Sequence, residues 1–409
     1  MTSFLAIFRK PALRKAAVAF FGGGAVLLLT SIPSVRLLVR KADRAVSDAI
    51  IRTTSNTREH PELVLLGIDD ASQSGSDLDP AVIAADPLLQ QMTKRFPWDR
   101  HVWAAAIDRL SDAGARLIAI DLVLSEESTP EADQALSEAI ARHRDKVVLA
   151  SAFSPAAANE VGQDKFTLTE PLADFFGPGP VDTRCGFVNF SEDDDGLIRF
   201  VRYQTTKNQM NGAQVHPDEE VIRSFAGEIL AALGKPMPAG DFQMRMALGA
   251  GDSAAEVYAP KSIRSIFVPD DWKRNFDEGR FFKDKIVLIG PTAPRFQDNH
   301  ATIGGAITGP QLHLQALTCG LDDAFVSHSD GSGLLAMGFC LAASLLAAAW
   351  CFLVKRPSWS ALGAAALLVG LFVTAGIIGA WIRWVPPVIL AGLGFFVAWI
   401  ASQSFELIT

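Results

Sequence analysis

Four cysteines in 409 residues are too few for a disulfide scaffold, and no Cys-x-x-Cys pair or His/Cys cluster is spaced to hold zinc. Basic charge is also short. The formal net charge is −8 and no basic stripe with interleaved aromatics crosses the middle of the chain, which excludes a nucleic-acid surface. No Ser/His/Asp or Cys/His set stands at a nucleophilic spacing. GPTAP, after the apolar run IVLIG, lacks the Gly-Lys-Ser/Thr of a phosphate-binding loop. SEDDDG puts Ser191, Asp193 and Asp195 at alternate positions, but Arg202 stands where a calcium loop needs its bidentate glutamate. That acidic run therefore reads as a tight loop between two strands. No catalytic set, no cofactor and no metal site is expected.

Apolar length is what the chain has in quantity. Roughly the last 75 residues are nearly all apolar, while the middle is mixed and acidic. Arg9, Lys10, Arg14 and Lys15 precede an apolar run over 16–35, long enough to cross a bilayer at about 20 residues. A signal peptide is the competing reading, but the run is long for one and no A-x-A site follows. Three more spans are expected over 334–354, 361–381 and 385–402. Lys355 and Arg356 fit a cytoplasmic loop, as the four basic residues near the start fit a cytoplasmic tail over 1–15. Residues 36–330 are then extracytoplasmic, with 403–409 inside, and Arg36, Arg40, Lys41 and Arg44 run against the rule.

Between the spans the pattern changes. Residues 36–59 read as a linker helix, with Val35, Leu38, Val39, Ala42, Val46, Ala49 and Ile50 on one stripe. Heptad spacing lasts barely two repeats, short of a coiled coil, although a homo-oligomer paired here is an expected arrangement. From His60 a soluble α/β domain with a mixed sheet is expected over 60–330. Leu63–Asp69, Leu117–Leu124, Val147–Ala152 and Ile286–Gly290 read as strands; the first, second and fourth are apolar runs of the kind a sheet covered on both faces needs. Val102, Trp103, Ala106, Ile107 and Leu110 mark a helix that Gly114 stops, and a second helix spans Pro130–His143 with Ser128 and Glu131 placed for a capping box. A single helical piece is expected over Pro80–Arg95, and a hairpin from GFVNF and LIRFVRY.

The stretches LVLLGIDDAS, FPWDRHVWAAAIDRLSDAGARLIAIDLVLSE, CGFVNFSEDDDGLIR, FKDKIVLIGPTAP and ITGPQLHLQALTCGL, in this order between one span and three, resemble the CHASE proteins of the second type, the cyclase/histidine-kinase-associated sensory extracellular family. The resemblance covers most of 16–402, weakens from about 204 to 280, and departs at FPWDR, where Asp99 replaces a frequent second proline. It implies an extracytoplasmic sensor in the inner membrane that reads an external ligand or protein and passes the signal by helix motion. The family usually continues into a cytoplasmic cyclase, kinase or phosphodiesterase. This chain stops at Thr409, so a separate effector, or an effector domain lost from the chain, is the expectation.

Asp69, Asp70, Asp121 and Glu126 are the candidate ligand-binding residues, because carboxylates at the ends of parallel strands gather where open α/β sheets bind. The competing reading has Asp69 and Asp121 capping loops or pairing with Arg100 or Arg116, since a buried charge needs a partner. Two further function classes stay open. One is an extracytoplasmic enzyme using Asp69, Asp70 and Asp121; the other is an assembly subunit that binds a second protein. His313 reads as a packed helix residue, and Cys185 and Cys319 as free buried thiols.

Overall fold

The computed structural model describes residues 11–29, 32–55, 57–156, 165–176, 184–238, 240–249, 253–328, 334–354, 357–382 and 384–408. Arg9, Lys10, Lys355 and Arg356, on which the expected orientation rests, lie outside them. The chain forms two units, Met1–Ser55 with Val326–Thr409, and Asn56–Phe325.

The first unit opens with helices α1 (Pro11–Leu29) and α2 (Pro33–Thr54). In the second unit, β1 (Leu63–Ile68) leads to a single helical turn α3 (Asp70–Ser74), which Asp69 caps by accepting from the Ser72 amide at 2.8 Å. The piece expected over 80–95 is two short helices, α4 (Pro80–Ala85) and α5 (Pro87–Met92), because Asp86 starts a new cap and Pro87 follows it. Helix α6 (Arg100–Asp112) ends before Gly114, whose φ of +83° suits a residue without a Cβ. The strand after it, β2 (Leu117–Ile120), is shorter than the apolar run predicts and stops at Asp121. Helix α7 (Pro130–Arg142) is capped by Thr129, which accepts from the Ala132 amide, rather than by the Ser128/Glu131 box; the Ser128 amide instead donates to Asp133.

Strand β3 (Val147–Pro155) is followed by β4 (Phe166–Thr169) and β5 (Cys185–Phe187). Then come β6 (Phe200–Arg202), β7 (Gln204–Thr205), α8 (Lys207–Asn211), β8 (Ile222–Arg223), α9 (Phe225–Ala232) and β9 (Asp241–Met244). The expected hairpin of GFVNF with LIRFVRY does not form: β5 pairs in parallel with β3, and β6 pairs antiparallel with β9. Local spacing pointed to a two-stranded ribbon; the apolar side of β5 is satisfied by the larger sheet instead. The unit closes with β10 (Lys261–Ser262), α10 (Pro269–Phe276), β11 (Ile286–Pro291), the hairpin strands β12 (Asn299–Thr302) and β13 (Gly305–Thr308), and α11 (Gly309–Asp322).

The main sheet runs β10-β1-β11-β2-β3-β4, with β5 also on β3. Its members are parallel except β4, so the sheet is mixed. Side chains alternate across it. Val64, Leu66, Ile68, Ile118, Ile120, Val287 and Ile289 join Val102, Trp103, Ala106, Ile107 and Leu110 of α6 in one buried core. On the other face α11 packs on β11 and β1, and α9 on β3 and β5. The result is a three-layer α/β/α unit.

The first unit is completed by α12 (Leu334–Leu353), α13 (Pro357–Ile382) and α14 (Val388–Ile408). Within it Val26, Cys340, Ala343, Leu390 and Ala391 pack together, and Asp43 accepts from the Ile389 amide at 2.6 Å at the start of α14. Among the described residues, Trp359–Gly379 is the one helical stretch long and apolar enough to cross a membrane; Ala16–Val26, Met337–Cys351 and Val388–Ser404 are shorter apolar stretches. None of the four cysteines forms a disulfide among the described residues; Cys319 is buried and Cys185 half-buried.

Candidate sensory site at the sheet edge

Strands β1 and β2 lie on either side of β11 and run parallel to it, so Asp69 and Asp121 leave the sheet at the same, carboxyl-terminal ends of its strands. Two strand spacings separate them, roughly 10 Å at the backbone. Asp69 is committed to structure: besides capping α3, it accepts from the Ser262 hydroxyl at 2.8 Å. Asp70 is exposed and faces Arg295 at 3.8 Å. Glu126 is exposed, and its backbone carbonyl accepts from the Arg100 guanidinium. Arg100 and Arg116 pair with Asp133 at 2.5 Å and Glu62 at 3.3 Å, not with Asp69 or Asp121. No group of three or more His, Cys, Asp or Glu side chains is arranged to hold a metal among the described residues.

Asp121 differs from the other three. It is buried at the carboxyl end of β2, 3.9 Å from His313 of α11. Burial pushes its carboxyl up to about 8, with the Asp298 carboxylate adding to the effect. Burial likewise pushes His313 down to about 3. At neutral pH these are a neutral acid and a neutral base, not an ion pair. His313 is packed, as its place in LHLQAL suggests, with Phe190 and Phe225 rings at 4.9 and 5.2 Å. Its Nδ1 is buried without a hydrogen-bond partner.

Phe190 links this pair to a cleft of about 280 Å³. The cleft lies between β5 and the paired strands β6 and β9, with Phe187, Phe190, Phe200 and Met210 as its apolar lining. Each is placed by a local feature. Phe187 ends β5 opposite Ser151, and Asn189 holds the next turn by exchanging hydrogen bonds with the Phe153 amide and carbonyl. Phe200 and Arg202 alternate along β6 on the same side of the strand. Met210 comes from α8.

Charge lines the rest. Arg202 and Asp241 are direct cross-strand neighbours and form a two-pronged pair at 2.6 and 2.7 Å. The SEDDDG loop folds around Arg199, which is 4 % exposed and donates to Asp193 and Asp195. That contact holds Asp195 down to about 2, chiefly through the hydrogen bond from Arg199. Sequence reasoning missed this cleft. The available signal was Arg199 itself, a cation four and six residues after two aspartates of the acidic SEDDDG stretch.

No curated protein and no solved structure matches the chain. A family model does: the CHASE2 domain, over residues 22–354, well beyond half of the chain. That match spans the three-layer unit, the cleft and the buried Asp121–His313 pair, and the protein belongs to the CHASE2 family of sensory domains.

Proposed function

We propose that the protein is an extracytoplasmic sensor anchored in the inner membrane by four helices, α1 before the α/β unit and α12, α13 and α14 after it. The observation that carries the reading is the cleft at the sheet edge, within a chain of a sensory family. Concave, mostly apolar surfaces with a few placed polar groups are where small ligands bind. A ligand there touches β5 and the β6–β9 strand pair together, so it favours whichever arrangement of the two it fits better. The chain connections around residues 55 and 326 lead from that unit into α2 and α12, and helix motion carries the change. The signal passes to a cytoplasmic effector. A second copy pairs along α2, whose Leu37 and Leu38 are exposed.

Reporter fusions test the topology. A reporter after Asp330 is expected to be active only outside the cytoplasm and one after Thr409 only inside; the reverse pattern refutes the reading. Hydrolytic activity that disappears in Asp121→Asn would establish the enzyme alternative in its place.

A further inference from the structure

We propose that the cleft takes a small organic cation, an amine or guanidinium carried on an apolar or aromatic body. This rests on the cleft being the sensor's receiving site and names what it receives. The charge arrangement decides the sign. The guanidinium that lines the cleft, Arg202, is committed to Asp241 through two hydrogen bonds, and Arg199, which is not part of the lining, is committed to Asp193 and Asp195. An anionic ligand must break one of these pairs to gain a partner. Glu192 lines the same cleft, is exposed, and makes no ion pair among the described residues. It is the uncompensated charge, and it repels an anion while offering a cation a counter-ion.

The rest of the lining selects the kind of cation. A hard divalent ion needs six or more oxygen ligands, and no carboxylate group here converges to supply them. Phe187, Phe190 and Phe200 supply three aromatic rings within one small cleft, and Met210 a polarisable thioether. Aromatic rings attract organic cations within about 6 Å of the ring centre, and sulfur packs well on aromatic bodies. The volume of about 280 Å³ stands at the lower end of ligand pockets, which fits a single-ring or similarly compact molecule. Phe190, shared between the cleft and His313, is the side chain through which occupancy reaches the interior.

The test uses the full chain in detergent micelles, titrated calorimetrically with phenethylammonium and, separately, with 3-phenylpropionate at millimolar concentration. The two probes share a phenyl body and differ in the sign of charge. Phenethylammonium is expected to bind and 3-phenylpropionate to give no heat beyond dilution. Glu192→Gln should weaken the ammonium probe about twofold to fivefold, and Phe200→Leu should weaken it without changing the charge preference. Three results overturn the inference: the carboxylate probe binding as tightly as the ammonium one, ammonium binding unaffected by both substitutions, or no binding of either probe. Carboxylate binding that Phe200→Leu abolishes would remove the cation assignment and leave the cleft as the receiving site. Failure of the sensor reading shows instead in the reporter fusions.

Discussion

Replacing Asp121 with Asn removes a titrating group from the core while keeping its shape, and the consequence is a change in how stability depends on pH. In the folded protein Asp121 holds its proton up to about 8, whereas an unfolded aspartate releases it near 4. Between those values the folded state binds one more proton, so this group's contribution falls as pH rises. His313 acts oppositely. Its folded value is about 3 against roughly 6.5 when unfolded, so the unfolded state binds the extra proton and stability rises with pH over that range. From about pH 4 to 6.5 the two slopes cancel. Above 6.5 only Asp121 remains, at about 1.4 kcal/mol per pH unit, or roughly 2 kcal/mol lost between pH 6.5 and 8. Hydrogen exchange of the buried amides of β1, β2 and β11 in the full chain, corrected for intrinsic rates, reads this directly. The wild type should show the loss and Asp121→Asn should not. An unchanged slope between pH 6.5 and 8 in the variant refutes the assignment of a neutral, buried Asp121.

Ile289 lies on the central strand and is fully buried, so Ile289→Ala should cost about 2–5 kcal/mol and lower exchange protection across β1, β2 and β11 together. Asp43 supplies from α2 the hydrogen bond that the first turn of α14 lacks, so Asp43→Ala should lower thermal stability in micelles by about 1 kcal/mol, and Asp43→Asn should restore most of it. Cys185 and Cys319 are free, and burial pushes both thiols up to about 12. Non-reducing mass spectrometry should therefore find no linked peptide pair containing both, and slow alkylation of each in the folded protein.

The elements legible in the sequence are those with a one-sided or two-sided apolar signal. LVLLGI, LIAI and IVLIG announce buried strands, and the stripe from Val102 to Leu110 announces α6. The CHASE2 membership was legible from the order of five short stretches. Pairing was not. GFVNF and LIRFVRY look like neighbours along the chain, yet β5 joins β3 and β6 joins β9, because non-local partners bury more than a ribbon would. The cleft was hidden for the same reason. Asp241 and Arg202 are 39 residues apart, and only strand register makes them a pair. Asp121 stood out as a carboxylate in an apolar run, but its partner His313 lies on a helix nearly two hundred residues later. Single-helix spans were legible by length alone. Trp359–Gly379 meets the full requirement, whereas Ala16–Val26, Met337–Cys351 and Val388–Ser404 are shorter apolar stretches.

The central place of β11 has a consequence for the order of events during synthesis. Leu63 pairs with Ile286 and Leu117 with the same residue from the other side, so the middle of the sheet is filled by a late arrival. Until that strand emerges, β1 and β2 each present an unpaired edge. About 165 residues are made after β2 before β11 begins, an interval on the order of ten to thirty seconds at ordinary elongation rates. The nascent unit therefore cannot fold progressively from its N-terminus. It waits as an open, edge-exposed chain, the state most prone to wrong strand pairing, and closes in one late step when Ile286–Pro291 slots between strands that have been waiting for it.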